Sequence, residues 1–363
     1  MAVRPHAVSE APAPVRGFGV MRSPAALLIP AAVIVAVAAL VTAAPADLRS
    51  TVTLTFIYFI VVLGLYAFSG QSGVLSFGHI GFMAIGAYAT ALVTIPIDQR
   101  QQQLPGLPGV IADVTIPTMP AIVLAAIFTA IVGYVLAIPL MRLSGLPAGI
   151  ATLAILVIVH NVISHWDDVT RGQVPLAGTP RDTTLWSTVA WAVGLLALVY
   201  LFQSSRVGIR LRAAREDAYA AQSIGVNIAA ERRLAFALSA GIVAIAGGLY
   251  GHLQGTFSPD SFYFDLTFLT VAMLVVGGIG SLAGTVIGTI VVAAIAESFR
   301  RLEAGVSLEA FRVTLPAGSQ EIVLAVVLLV MLIVRPDGLM GGREFRWPRL
   351  INRRLEADVA REK

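Results

Sequence analysis

The chain has 363 residues and a formal net charge of +4, with 57% hydrophobic and 13% charged residues. Charged residues make up about 25% of a typical soluble globular protein, so this composition argues against an ordinary soluble domain. Cysteine is absent, which excludes structural disulfides, thiolate metal sites and a cysteine nucleophile. The composition therefore indicates a chain embedded in a lipid bilayer.

The first predicted membrane span covers residues 23–46 and follows an arginine-bearing segment, 1–22, that we expect to be a cytoplasmic tail. The end of this span, Thr42 to Ala46, resembles a signal-peptidase site. However, its apolar run is longer than the roughly 7–15 residues of the apolar region of a signal peptide. We therefore expect the span to be retained.

The next stretch, from Thr51 to Ile97, contains no Asp, Glu, Lys or Arg over 47 residues. A bilayer core is crossed by roughly 20 apolar residues, so two spans are predicted, at about 51–69 and 74–95. The second opens on small and polar residues, which are tolerated at membrane depth where protein or a water-filled path satisfies them. The pattern is typical of channels and transporters. The glycines expected to break the helix here are Gly70, Gly73 and Gly78.

Four polar side chains in this pair of spans are candidates for lining a pathway: Gln71, Ser72, Ser76 and His79. The last three recur at spacings of four and three residues, which predicts that they share one face of a helix. Such a face either lines a polar path or hydrogen-bonds a neighbouring helix. The sequence leaves both interpretations open.

Seven further spans are predicted at about 119–141, 146–165, 185–203, 234–254, 263–279, 282–299 and 315–334. The difficult stretch runs from Leu266 to Ala296, 31 residues without charge. A single straight helix of that length would measure about 46 Å, too long for a core of about 30 Å. We expect Gly277, Gly278 and Gly280 to break it into two spans. The alternative is one tilted helix with a re-entrant piece.

Ten spans with a cytoplasmic N-terminus place 18 of the 25 Lys and Arg residues on the cytoplasmic side. Nine spans would place the basic tail, 335–363, outside, against the positive-inside bias. That tail could contact nucleic acid, but we expect an orientation determinant at an anionic membrane surface and no nucleic-acid partner. The predicted fold is an all-α, polytopic integral membrane protein. It has about ten transmembrane helices, a permease domain over 23–334 and a Gly-rich core of broken helices.

A search for catalytic residues gives negative results. Lys363 is the only lysine and the last residue, so the chain has no Walker A loop, which needs a Lys after its glycines. No pair of histidines has metal-ligand spacing, and no carboxylate lies in the span of Ser76 and His79 to complete a triad. We expect no catalysis, no metal site and no cofactor in this chain.

The polar segment 204–232 separates two predicted spans. Glu216 to Ile224 has helical composition, and Gly225 is placed to end that helix. A short helix between two spans is either a contact for a soluble partner or a helix lying in the headgroup layer. The residues alone leave both interpretations open.

Individually weak motifs follow one another in a fixed order across roughly 275 residues. They are GQSG at 70–73, SFGH at 76–79, GAY at 86–88, IATLA at 150–154, RG at 171–172, GTP at 178–180, RAARED at 212–217, GVN at 225–227, AGGLY at 246–250, SPDSF at 258–262, GGIGS at 277–281 and RPDGL at 335–339. Together they resemble the permease subunits of branched-chain amino-acid ABC importers, specifically the larger of the two paired permeases.

This resemblance implies a subunit of the bacterial inner membrane with both termini in the cytoplasm. It implies a second homologous permease, a periplasmic substrate-binding protein, and two cytoplasmic ATPases that bind ATP and Mg. It also implies that the loop 204–232 docks into an ATPase. The residues that it assigns to coupling are Arg212, Arg215, Glu216, Asp217, Ala220, Ala221, Gly225 and Asn227. The chain departs from the family at Arg171-Gly172, where a Gly-Gly pair is usual.

The leading functional hypothesis is therefore the translocation pathway for branched-chain or related amino acids. Alternatives within the broader family are urea, short amides and other small polar solutes. A different class is an ion channel or an ion-coupled secondary transporter. Coupled transporters usually carry ionisable residues inside the helix bundle, whereas Asp265, Glu297 and Glu321 map near span ends. This placement disfavours ion coupling.

Overall fold

The computed structural model describes residues 24–308, 311–313, 316, 318–341 and 344. The predicted tail 1–22 and residues 342–343 and 345–363 of the basic tail lie outside the described residues. Helices dominate the described part. In chain order they are α1 (Ala25–Val41), α2 (Ala46–Leu65), α3 (His79–Thr94), α4 (Ile97–Gln103), α5 (Gly109–Ala112), α6 (Thr118–Leu140), α7 (Leu146–His165), α8 (Asp167–Thr170), α9 (Leu185–Ser204), α10 (Arg206–Glu216), α11 (Ala218–Ser223), α12 (Ile228–Gln254), α13 (Phe264–Gly277), α14 (Leu282–Ala304) and α15 (Ser319–Val334).

Strands are few and short in the same ranges. β1 (Leu176–Ala177) pairs antiparallel with β2 (Thr256–Phe257), and β3 (Val306–Leu308) pairs antiparallel with β4 (Phe311–Val313). Both pairs lie in the connections between apolar helices. The prediction of an all-α, polytopic membrane protein is confirmed.

Each of the ten predicted spans coincides with an apolar helix. Seven of these helices are long and apolar enough to cross a membrane, while α1, α3 and α15 are shorter. Some of these helices begin at residues other than those predicted. α12 begins at Ile228, before the predicted residue 234, and the span predicted from residue 74 becomes helical only at His79. At about 1.5 Å per residue, α3 is about 24 Å long, short of a full core. Thirteen of its 16 residues are buried, so α3 lies inside the protein.

The centre of the fold is α12, which packs against α2, α3 and α6. Small residues permit this close packing, as is usual between membrane helices. A Cβ built on Gly247 would lie 2.0 Å from the carbonyl oxygen of Met83, and one on Gly86 would lie 2.3 Å from that of Ala244. The backbones of α3 and α12 therefore touch directly. Substituting either glycine would force these two helices apart.

Large apolar side chains on the outer helices are exposed, among them Ile131 on α6 and Ile158 on α7. Extensive exposed apolar surface is unusual for a soluble monomer and marks a surface that contacts lipid or another subunit. The fold thus has a buried bundle of small-residue contacts around α12 and an apolar exterior.

Candidate functional site

The first helix break lies between α2 and α3. α2 continues into a π-helical turn, Tyr66–Gly70, and residues 73–78 are non-helical. Non-helical backbone inside a membrane protein is stable where its polar groups find partners in the protein. Here the N–H of Ser76 donates to Ser69 Oγ at 3.3 Å, and the N–H of Phe77 donates to Thr152 Oγ1 at 3.0 Å. The break is therefore satisfied by neighbouring side chains.

The prediction that Ser72, Ser76 and His79 share one helix face is wrong. Ser76 lies in the non-helical segment, and His79 is the first residue of α3. The fold nevertheless brings Ser76 and His79 together, with His79 Nδ1 2.7 Å from Ser76 Oγ. His79 Nε2 lies 2.7 Å from Oγ of Ser239 on α12. Sequence analysis missed Ser239, because a lone serine in an apolar helix gives no signal.

These contacts favour packing over pathway lining for the first break. Gln71, Ser72, Ser76 and His79 are all buried. Both ring nitrogens of His79 are hydrogen-bonded within the protein. Two cavities, of about 540 Å³ and about 550 Å³, are lined by other residues. The four polar residues thus stabilise the break in this structure.

The polar segment forms two helices, so the prediction of one helix over Glu216–Ile224 is wrong. The backbone of Asp217 is extended, and its side chain accepts a hydrogen bond from the N–H of Ala220 at 3.0 Å. Such an N-cap ends α10 and starts α11. Glu216 is consequently the last residue of α10 rather than part of a first helical turn. After α11, Gly225 has a φ of +86° and Asn227 caps α12.

Ala221, which the family resemblance assigns to coupling, does not face outward. It is 3% exposed and packs with Ala214, Val226 and Ile228. The reason is that α11 packs against both α10 and α12. The outer surface of this loop carries Tyr219 and Ile224 instead, 87% and 78% exposed. Sequence analysis missed both, although bulky apolar residues in a polar loop were the available signal.

Two arginines of α10 reach the first break. Arg212 Nη1 donates to Gln71 Oε1 at 2.9 Å, and Arg215 Nη1 donates to the carbonyl oxygen of Gly70 at 2.8 Å. The Arg215 side chain also lies against Gly73, where a built Cβ would come within 2.8 Å of its Cγ. Hydrogen bonds from an ionised donor are stronger than neutral ones. The loop and the break, predicted separately, are therefore physically joined.

The second helix break separates α13 from α14. Gly277 ends α13, Gly278 has a φ of +111°, and α14 begins at Leu282. The uncharged run is thus two helices, so the predicted break at Gly277–Gly280 is confirmed and a single continuous helix is excluded. The two helices pack tightly, since a Cβ built on Gly277 would lie 2.0 Å from the carbonyl oxygen of Gly284.

The segment after α15 covers this second break, a contact that sequence analysis missed. The N–H of Leu339 donates to the carbonyl oxygen of Val276 at 2.8 Å. Glu344, 8% exposed, accepts from the N–H of Leu282 at 2.6 Å through Oε1 and from that of Ala283 at 3.1 Å through Oε2. Burial raises the pKa of Glu344, partly opposed by these hydrogen bonds and by the charge of Arg212. Glu344 is one of five acidic residues in the basic tail, and nothing in the sequence distinguished it from the others.

Within the described ranges, no group of three or more His, Asp or Glu side chains could hold a metal ion. The polar side chains at the two helix breaks therefore act through hydrogen bonds, to one another and to the backbone at the helix ends. Two broken helices, buried in a bundle of apolar helices and tied to a polar loop, define a multi-pass membrane protein of the transporter class.

The family follows from comparison with known proteins. Residues 48–335 match the family described as "Branched-chain amino acid transport system / permease component". The match covers most of the chain, and the chain belongs to this family. It is a permease component, as its motifs indicated.

Individual relatives agree with the family. The high-affinity branched-chain amino acid transport system permease protein LivM of Escherichia coli (strain K12) is 28% identical, over 79% of this chain and 68% of LivM. LivH of Salmonella typhimurium is 25% identical, over 81% of this chain and 94% of LivH. A shorter similarity, 28% identity over 33% of this chain and 38% of the relative, links it to the nucleoside ABC transporter permease protein NupC of Lactococcus lactis subsp. cremoris.

Proposed function

We propose that this permease carries branched-chain amino acids across the bacterial inner membrane as one subunit of an ABC importer. The observation that carries the proposal is the extent of the similarity to LivM and LivH, each covering about four fifths of this chain. Both relatives are described as branched-chain amino acid permeases. Nucleosides are the second candidate cargo, on the strength of the shorter similarity to NupC.

The proposed complex contains a second homologous permease, two ATPases and a periplasmic binding protein. The ATPases bind ATP and Mg, since the one lysine of this sequence, Lys363, follows Arg361-Glu362 and not the glycines of a Walker A loop. The exposed Tyr219 and Ile224 support a docking role for the loop, because aromatic and apolar side chains are common anchors at protein interfaces. In this arrangement the chain itself catalyses no reaction.

The proposed orientation places both termini and the segment 204–232 in the cytoplasm. Its support is the distribution of arginines, which are concentrated in the segments that this orientation assigns to the inside. The ATPases then meet the loop on the side where ATP is available.

The test is reconstitution in proteoliposomes with the ATPases, second permease and binding protein encoded by neighbouring genes. Leucine, isoleucine, valine, urea, a short amide and a nucleoside are offered in turn. We expect ATP-dependent uptake, and substrate-stimulated ATP hydrolysis, for the branched-chain amino acids. Stimulation by the nucleoside or urea alone would replace the proposed cargo. Uptake driven by an ion gradient without ATP would refute the importer itself.

A further inference from the structure

The two helix breaks and the loop between α9 and α12 meet at one place, which we call the break junction. Its charged and polar members come from four separate parts of the chain: Gln71, Arg212, Arg215, Ser281 and Glu344. Neither the family description nor the relatives assign a role to Glu344.

We propose that Glu344 is a positioning residue that completes a fixed junction, through which the 204–232 loop moves both broken helices as one unit. The proposal rests on the proposed function, since an ATPase must move the loop. It adds a named residue and a mechanical role for the segment that follows the last apolar helix.

The first argument is the hydrogen bonding at the start of α14. The first N–H groups of a helix have no partner inside the helix. Glu344 accepts from the first two, those of Leu282 and Ala283, while Ser281 Oγ accepts from the N–H of Gly284 at 3.0 Å. A carboxylate there is also favoured by the positive end of the helix dipole. Glu344 is buried, so its carboxyl oxygens need these hydrogen-bond partners.

The second argument is that the same segment satisfies the other side of the break. The N–H groups of Leu339 and Met340 donate to the carbonyl oxygens of Val276 and Gly277, at 2.8 and 3.2 Å. These carbonyls belong to the last turn of α13, which has no further helical donors. One short segment therefore holds the end of α13 and the start of α14 together.

Close backbone contact reinforces this hold. Gly338 has a φ of +76°, and a Cβ built on it would lie 2.5 Å from Cα of Gly278. The two glycines therefore approach backbone to backbone, with no room for a side chain. The segment and the second break fit each other as packed surfaces, beyond the individual hydrogen bonds.

The third argument links the loop to both breaks. Arg212 and Arg215 hold the first break through Gln71 and Gly70. The Arg215 guanidinium also lies beside the second break, 3.8 Å from a Cβ built on Gly280. The charge of Arg212 attracts Glu344. A displacement of α10 would therefore pull on both breaks together, provided that Glu344 keeps the second one closed.

The first experiment needs no partner subunit. Amide hydrogen exchange is measured on the full chain in nanodiscs for the wild type, Glu344→Gln and Glu344→Ala. Exchange at residues 281–284 should accelerate about tenfold in Glu344→Ala, the loss expected for a charge-assisted hydrogen bond. Glu344→Gln should lie between the two. The exposed Glu321→Gln serves as the control and should match the wild type. Unchanged exchange in Glu344→Ala would overturn the proposal.

The second experiment measures coupling in the reconstituted importer. Glu344→Gln should still co-purify with the ATPases, but the amount of cargo moved per ATP should fall about tenfold, as for one lost charge-assisted contact. Arg212→Gln should show the same defect, whereas Glu321→Gln should not. A Glu344→Gln complex with lower thermal stability but normal transport per ATP would show that Glu344 only holds the segment after α15 in place. That result would overturn the proposal.

A cross-link tests whether the junction is fixed, even if the Glu344 variants fold poorly. The chain contains no cysteine, so Val276→Cys with Leu339→Cys introduces the only two thiols. Oxidation should join them and leave transport unchanged. Transport lost on oxidation and restored by a reductant would show that the junction opens during the cycle. If the wild-type complex transports nothing, the proposed function fails, while the exchange experiment still decides the role of Glu344.

Discussion

His79 joins the first helix break to α12 through its two ring nitrogens. It is buried and lies 2.7 Å from both Ser76 Oγ and Ser239 Oγ. Its ring also packs edge-on against Phe236, with centroids 5.3 Å apart. A polar side chain this deep among helices contributes stability only while each of its polar atoms has a partner.

Ser239→Ala should therefore destabilise the protein. It leaves one nitrogen of His79 buried without a partner, a loss of roughly 1–3 kcal/mol. Thermal unfolding of the purified chain in detergent measures this loss. Thr129→Val is the control, because it removes a buried hydroxyl that bonds the carbonyl oxygen of Ala125 within its own helix. Equal stability of the two variants would contradict the structural role of His79.

Labelling gives a second, independent check on the same residues. Cysteines placed singly at 76 and 79 should stay unreactive toward a small aqueous thiol reagent, because both positions are buried. A cysteine at the exposed position 173 supplies the positive control. Strong labelling at 76 or 79 that changes with added leucine would restore the pathway interpretation.

Gly278 carries a constraint of a different kind, in its backbone. Its φ of +111° is rarely adopted by other residues, and an added Cβ would meet the carbonyl oxygen of Asp337 at 2.8 Å. Gly278→Ala should cost roughly 1–3 kcal/mol of stability through strain. Gly194→Ala, in the interior of α9 with open space around the new Cβ, should instead leave stability equal or higher by about 0.5–1 kcal/mol. Denaturation of both variants side by side makes the comparison.

At the scale of elements, the pair α10 and α11 presents one inner and one outer surface. Ala214 and Ala221 face inward, whereas Tyr219 and Ile224 face outward. A docking surface for an ATPase should therefore depend on the outer pair. The inner pair should matter for folding of the loop itself.

Tyr219→Ala should insert into the membrane normally and lose ATPase binding by at least about tenfold, as expected for an exposed aromatic anchor. Co-purification from detergent extracts measures it. Ala221→Trp should instead lower the stability of the isolated chain, because the indole overfills the space beside Ala214 and Ile228. Leu146→Ala, an exposed apolar position outside the loop, is the control. Normal ATPase binding by Tyr219→Ala would contradict the docking role and favour the alternative, a helix that lies in the headgroup layer.

Features that depend on neighbouring residues could be predicted from the sequence, whereas contacts between distant residues could not. Long apolar runs depend on composition alone, so all ten apolar helices were predictable. Local capping overrode composition at Asp217, where a side chain divides one expected helix into two. Long-range contacts such as Ser239 with His79, or Glu344 with Leu282, join residues 160 and 62 positions apart. No local pattern encodes such pairs.

At the scale of the whole molecule, the orientation in the bilayer can be tested at two exposed positions. Gln173 and Gln222 are both exposed and lie on either side of the single apolar helix α9. A crossing by α9 must place them on opposite sides of the membrane. The arginine distribution predicts position 173 outside and position 222 in the cytoplasm.

Single cysteines at these positions decide the orientation in intact cells, because the chain has no cysteine of its own. A membrane-impermeant thiol reagent should label Gln173→Cys in whole cells and Gln222→Cys only after lysis. Labelling of both in whole cells would show that α9 does not cross. The reverse pattern would place the loop outside, where no ATPase with access to ATP could reach Tyr219. Protection of Gln222→Cys that persists after lysis but disappears when the ATPase is stripped away would identify the loop as the covered surface.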